Sequence, residues 1–173
     1  MRANTSLTLG GLALAMLLVC IPAPTASAVT ATGGDVTDIG AYVVHTFTNS
    51  GTFSVTAGGD VEVLVVAGGG GGGVNGGGGG GGGGIVYTNV FPVTNGQAGA
   101  VVGGAGGAPH LNTADPPTRG GDSSFDTLVA TGGGGGASRD NGVGGASGGS
   151  GGGGAGATGN PRDIGGAGTA GQG

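Results

Sequence analysis

The sequence predicts a mainly β protein with a glycine-rich polyproline II helix bundle, in which short strands frame poly-Gly helices. No substantial α-helix is expected beyond an N-terminal signal peptide. Three observations predict this. Glycine supplies 52 of 173 residues, and two tracts, 68–73 and 76–84, are separated only by Val74-Asn75. Short runs of strand-forming residues bracket the tracts. No segment carries an apolar helical period of useful length.

The glycine tracts set the physical problem. Glycine has no side chain to bury, and ordering it costs more backbone entropy than ordering any other residue. The aromatic residues are few: Tyr42, Phe47, Phe53, Tyr87, Phe91 and Phe125. An ordered glycine region must therefore be held by its backbone. A polyproline II helix has three residues per turn, a rise of about 3.1 Å and no internal hydrogen bonds. At that rise the 76–84 tract spans about 28 Å. Packed side by side, such helices can donate N–H to a neighbour's C=O, provided no Cβ blocks the approach. Tract 76–84 is the expected central, fully surrounded helix, where a side chain at Gly80 disrupts packing more than one at Ser150. Edge helices need glycine once in three residues, and Gly165, Gly168 and Gly171 show that period.

Residues 1–28 read as a secretory signal peptide. Arg2 is the positive end, residues 7–21 are apolar, and Ala26-Ser27-Ala28 gives small residues for cleavage after Ala28. The apolar run falls short of the roughly 20 residues of a membrane span. Cys20, the only cysteine, lies inside this segment, so the mature chain has no disulfide framework. Residues 29–173 form the glycine-rich domain, which ends at Gly171-Gln172-Gly173 in what reads as an unfinished pattern. A truncated or fragmentary C-terminus is expected.

Within that domain, residues 29–67 are β in character. Tyr42 to Phe47 is one strand, and Asn49-Ser50-Gly51 marks a turn. Thr52-Phe53-Ser54-Val55 alternates polar and apolar, and Ala57-Gly58-Gly59-Asp60 is a second turn. Residues 61–67 are almost continuously apolar, which predicts a strand buried on both faces. Strand character returns over residues 85–102, with Pro92 and Asn95-Gly96 as punctuation. Ser123-Ser124-Phe125 and Leu128-Val129-Ala130-Thr131 are two further short strands. Residues 109–121, with Pro116-Pro117, and residues 137–141 are loops that hold most of the polar variety.

Charge and motif spacing exclude several functions. The chain has no lysine, and its four arginines face nine carboxylates. The basic footprint of a nucleic-acid protein is absent, and Arg119, Arg139 and Arg162 are too isolated for an RGG-type segment. The run at 61–66 followed by glycines imitates a dinucleotide fingerprint, but no helix follows to hold a pyrophosphate. A Walker A loop needs a lysine. Ser147 and Ser150 each sit in G-x-S-x-G, without the strand and helix of a nucleophile elbow. His45 reads as a half-buried strand residue and His110 as a solvated loop residue, too few for a zinc site. The aspartates match no calcium-loop spacing, and Asp122 reads as a turn-bonding residue. No residue is singled out as catalytic, cofactor-binding or metal-binding, and no cofactor is expected.

The ordered string of motifs resembles the bacterial and phage glycine-rich domain. It is carried by Tyr42-Val43-Val44-His45-Thr46-Phe47-Thr48-Asn49-Ser50-Gly51-Thr52-Phe53 and by Val61-Glu62-Val63-Leu64-Val65-Val66-Ala67-Gly68. Gly103-Gly104-Ala105-Gly106-Gly107, Gly121-Asp122-Ser123-Ser124-Phe125 and Ala130-Thr131 with the following glycines continue it. The resemblance covers residues 39–173 and extends to the glycine-rich region of the anaplastic lymphoma kinase and leukocyte tyrosine kinase receptors. It implies a non-enzymatic secreted or cell-surface structural and interaction module. A phage-tail-like adhesin or receptor-binding tip is the alternative, with ice binding as a further one. The partner it implies is an unknown protein or glycan at the cell surface, with no nucleic acid and no membrane span after signal cleavage.

Overall fold

The computed structural model describes residues 28–109, 117–139, 144–156 and 164–172. The described residues hold nine strands and no helix: β1 (Thr30–Thr32), β2 (Asp35–Ile39), β3 (Tyr42–Thr46), β4 (Gly51–Ala57), β5 (Gly59–Val66), β6 (Ile85–Val93), β7 (Ala98–Val102), β8 (Ser123–Phe125) and β9 (Leu128–Ala130). They form three antiparallel sheets. One has the order β1-β4-β7-β8-β9, and the pairs β2-β3 and β5-β6 make the other two. The predicted Asn49-Ser50-Gly51 turn is a bend that carries the chain from β3 into a different sheet.

A small apolar core joins two of the sheets. Phe53 and Val55 from β4, Phe125 from β8 and Ala130 from β9 meet Val65, Val93 and Ala67 on or just beyond the β5–β6 hairpin. Three edge-on or tilted ring contacts run through it. His45 meets Phe53 at 5.1 Å, Phe53 meets Phe125 at 5.7 Å, and Phe125 meets Phe91 at 5.4 Å. Such contacts add about 0.5–1.5 kcal/mol each beyond area burial. β5 differs from expectation, because it is buried on one face only. Val65 is buried and Val61 and Val63 half-buried, while Leu64 and Val66 are 63% and 55% exposed. Among the described residues the hairpin packs on β8 and β9 from one side, so the outward half of its valine-rich run stays in solvent.

The strands continue directly into glycine segments. β5 leads into 67–73, segment 77–84 leads into β6, β7 leads into 103–109, and β9 leads into 131–137. Asn75 and Gly76 both have left-handed φ, 54° and 73°. That is the Asn-Gly pair of a primed hairpin turn, and it reverses the chain between the first two tracts. The tracts then pair with a period of three. The amides of Ala67, Gly70 and Gly73 donate to the carbonyls of Gly84, Gly81 and Gly78 at 2.8–3.0 Å. On another side, the amides of Gly78, Gly81 and Gly84 donate to Ala137, Gly134 and Thr131 at 2.7–2.8 Å. The amides of Ser150, Gly153 and Gly156 reach Gly82, Gly79 and Gly76 at 2.8–3.0 Å. Each step of three on one segment is a step of three on its partner, so one row of amides faces one neighbour.

The centre of this array is segment 132–138, not tract 76–84. Residues 132–138 are all buried. Bonds to or from the 131–137 backbone reach segments 67–73, 77–84, 117–121, 144–149 and 150–156. In tract 76–84 only Gly78, Gly81 and Gly84 are buried, one in three, because its other face is open. Tract length therefore does not report centrality. In the last segment the close-packed residue is Gly166, whose Cβ would overlap the Ala146 carbonyl. Its amide bonds Gly152 and that of Thr169 bonds Gly149. The packed row is thus offset from the expected Gly165, Gly168 and Gly171 by one residue.

Glycine is demanded position by position. A Cβ at Gly132, Gly133, Gly134 or Gly136 would collide with a neighbouring carbonyl, and one at Gly80 would collide with Gly70. At Gly79 a Cβ meets nothing within 4 Å. Thermal melts test this contrast. Gly136→Ala should destabilise by about 1–3 kcal/mol or more through overpacking. Gly79→Ala should be neutral or stabilising by up to about 1 kcal/mol, because it restricts only the unfolded chain.

Candidate interaction surface

In the described part of the bundle, packed positions are mostly glycine, so side-chain chemistry lies mainly on the sheets and at the segment ends. Two apolar surfaces stand out on the sheets. The first is the outer face of β5–β6, where Leu64 opposes Tyr87 and Val66 opposes Ile85. All four side chains are exposed. Glu62 stands on the same face, and its Oε2 accepts the Tyr87 hydroxyl at 3.1 Å. That hydrogen bond raises the phenol above its ordinary value of 10.0, with desolvation and the nearby charges of Glu62 and Tyr42 acting in the same direction.

The second surface is a groove of about 1360 Å³ between the β2–β3 hairpin and β5. β2–β3 carries exposed Val36, Ile39, Tyr42 and Val43. The buried rings of Phe53 and Phe125 also line the groove. His45, on β3, is half-buried as expected. Its Nδ1 lies 2.8 Å from the Gly33 carbonyl, which anchors the hairpin to the start of the domain.

The loops predicted as contacts are only partly placed. Residues 110–116 and 140–141, including His110, lie outside the described residues. In the described part of the second loop, Ala137 and Ser138 are buried, because they finish the central segment, and Arg139 is exposed. The Ser138 hydroxyl accepts the Val74 amide at 3.3 Å. In the first loop, Thr118 bonds Ala108 through its hydroxyl and Arg119 pairs with Asp122 at 3.1 Å. Asp122, expected to form a turn hydrogen bond, bonds the Arg119 side chain and a distant segment instead. Its Oδ1 also accepts the Gly132 amide at 2.8 Å and so ties residues 117–122 to the central segment. Gln172 has a similar role, which the sequence did not signal. Its side chain accepts the Thr131 amide and donates to the Val129 carbonyl, while its own carbonyl accepts the Ile85 amide.

Residues 68–84 are followed by β6 rather than a helix. The Ser147 hydroxyl accepts the Ala167 amide at 3.3 Å, a link between two glycine segments. Among the described residues no three His, Cys, Asp or Glu side chains gather, and no helix is long and apolar enough to cross a membrane.

The Glu62–Tyr87 bond gives a direct check on the outer face. In Glu62→Gln, spectrophotometric titration should place Tyr87 closer to the ordinary tyrosine value than in the parent protein. An unchanged titration would mean that the bond does not form in solution.

A search of curated proteins and of solved structures finds no match. A family model described as the glycine-rich domain matches residues 46–173, from the end of β3 through the whole bundle. The chain is thus a member of the glycine-rich domain family.

Proposed function

We propose that this protein is a non-enzymatic structural and interaction module, exported to the cell surface or beyond, whose glycine segments adopt polyproline II geometry. The observation that carries the reading is the three-residue period of the bonds between segments. Three residues per turn, with no bonds inside a segment, is the signature of that helix. A scaffold of this kind fixes surface groups without a large side-chain core. It suits a chain whose apolar groups are presented on strand faces and whose polar variety sits in connecting loops. The partner we infer is a protein or glycan at the cell surface.

Export rests on the leader-like residues 1–28. β1 begins at Thr30, just past the predicted cleavage point, and Ala28 is exposed. Signal cleavage would therefore leave every strand of the described residues intact. Cell fractionation with intact-mass and N-terminal sequencing tests the reading. The protein should be recovered outside the cytoplasm with Val29 as its first residue. Recovery only in the cytoplasm with its original N-terminus would overturn it.

A further inference from the structure

The groove between β3 and β5 has the features of a strand-addition site. Among the described residues β3 pairs only with β2, and β5 pairs only with β6. Each therefore has one edge without a strand beside it. Consecutive residues of both strands line the groove, 42–48 on one side and 58–66 on the other. Successive side chains of a strand point to opposite faces, so an uninterrupted lining is presented by an edge rather than by a face. An unpaired edge is a template for another extended chain. The groove also exceeds the roughly 300–1,000 Å³ of small-ligand pockets.

Its chemistry selects the occupant. The interior is apolar, with Phe53, Val63, Val101 and Phe125 among the lining residues. Asp60 and Glu62 also line it, both exposed, and among the described residues no lysine or arginine does. A second copy of this chain is a poor complement, because no lysine or arginine occurs in any of the nine strands of the described residues. We propose that the groove binds an extended peptide in which apolar residues alternate with lysine or arginine. Its backbone adds to the edge of β3 or β5, its apolar side chains enter the groove, and its cations face Asp60 and Glu62. The proposal rests on the interaction-module reading and names the partner class for it.

The test uses protein purified from the producing cells and two labelled heptapeptides, one alternating valine with lysine and one alternating valine with glutamate. Fluorescence anisotropy should show saturable binding of the lysine peptide, weakened by salt. The glutamate peptide should bind at least about tenfold more weakly, and Asp60→Lys/Glu62→Lys should reverse that preference. Amide exchange on the unsubstituted protein supplies a check that does not depend on the variant folding. The lysine peptide should slow exchange within residues 42–46 or 60–66. No binding, equal binding of the two peptides, or protection confined to other segments would overturn the proposal. So would a dimer closed over the groove that the peptide cannot enter. Cytoplasmic retention of the protein would count against export and leave these binding results intact.

Discussion

Backbone packed against backbone, with no room for a Cβ, is the constraint on which the rest of the structure depends. In segment 132–136 all five glycines would drive a methyl group into a neighbouring carbonyl, that of Pro117 in the case of Gly135. Close approach is what brings each amide within about 3 Å of a carbonyl on another segment. Each such bond contributes only about 0.5–1.5 kcal/mol net, so the array is stable as a set rather than through any one member. The buried polar groups also leave no alternative to pairing, since an unsatisfied one costs about 1–3 kcal/mol.

The sheets and the bundle depend on each other. The core of Phe53, Val55, Val65, Val93 and Phe125 is small, and it holds the strand ends that feed the glycine segments. β5 and β6 fix the spacing of Ala67 and Gly84, whose bond at 3.0 Å begins the first antiparallel pair of segments. Asn75-Gly76 closes the far end of that pair. Side chains then act as ties between segments: Asp122 to Gly132, Ser138 to Val74, and Gln172 to Thr131. Polar residues that look incidental in a low-complexity sequence thus satisfy specific amides.

Much of the architecture was legible in the residues. The strands at 42–46, 123–125 and 128–130 follow from local composition, and glycine tracts bounded by strands announce backbone packing. The half-buried His45 follows from its strand context. The centre of the bundle was not legible, because tract length does not report centrality. Segment 132–136 has only five consecutive glycines, yet it is surrounded, while the nine of 76–84 lie along an edge. Which face of a homopolymer is packed is invisible in its own sequence, and it is set by partners far away in the chain. The exposed face of β5 was missed for a related reason. Leu64 and Val66 occupy outward positions that usually carry polar residues, so the alternation that marks a one-sided strand is masked. The register of the last segment was off by one, since glycine occurs at both Gly165 and Gly166 and only tertiary contact separates them.

For function, this arrangement separates scaffold from surface. Positions buried in the bundle tolerate little variation, whereas β2–β3 and the outer face of β5–β6 display apolar groups that the described core does not use. Residue-resolved amide exchange over 67–84 tests the central claim most directly. The account predicts a period of three, with Gly70, Gly73, Gly78, Gly81 and Gly84 protected and Gly69, Gly72, Gly79 and Gly82 exchanging rapidly. Uniformly rapid exchange throughout 68–84 would contradict it and make the tracts flexible linkers.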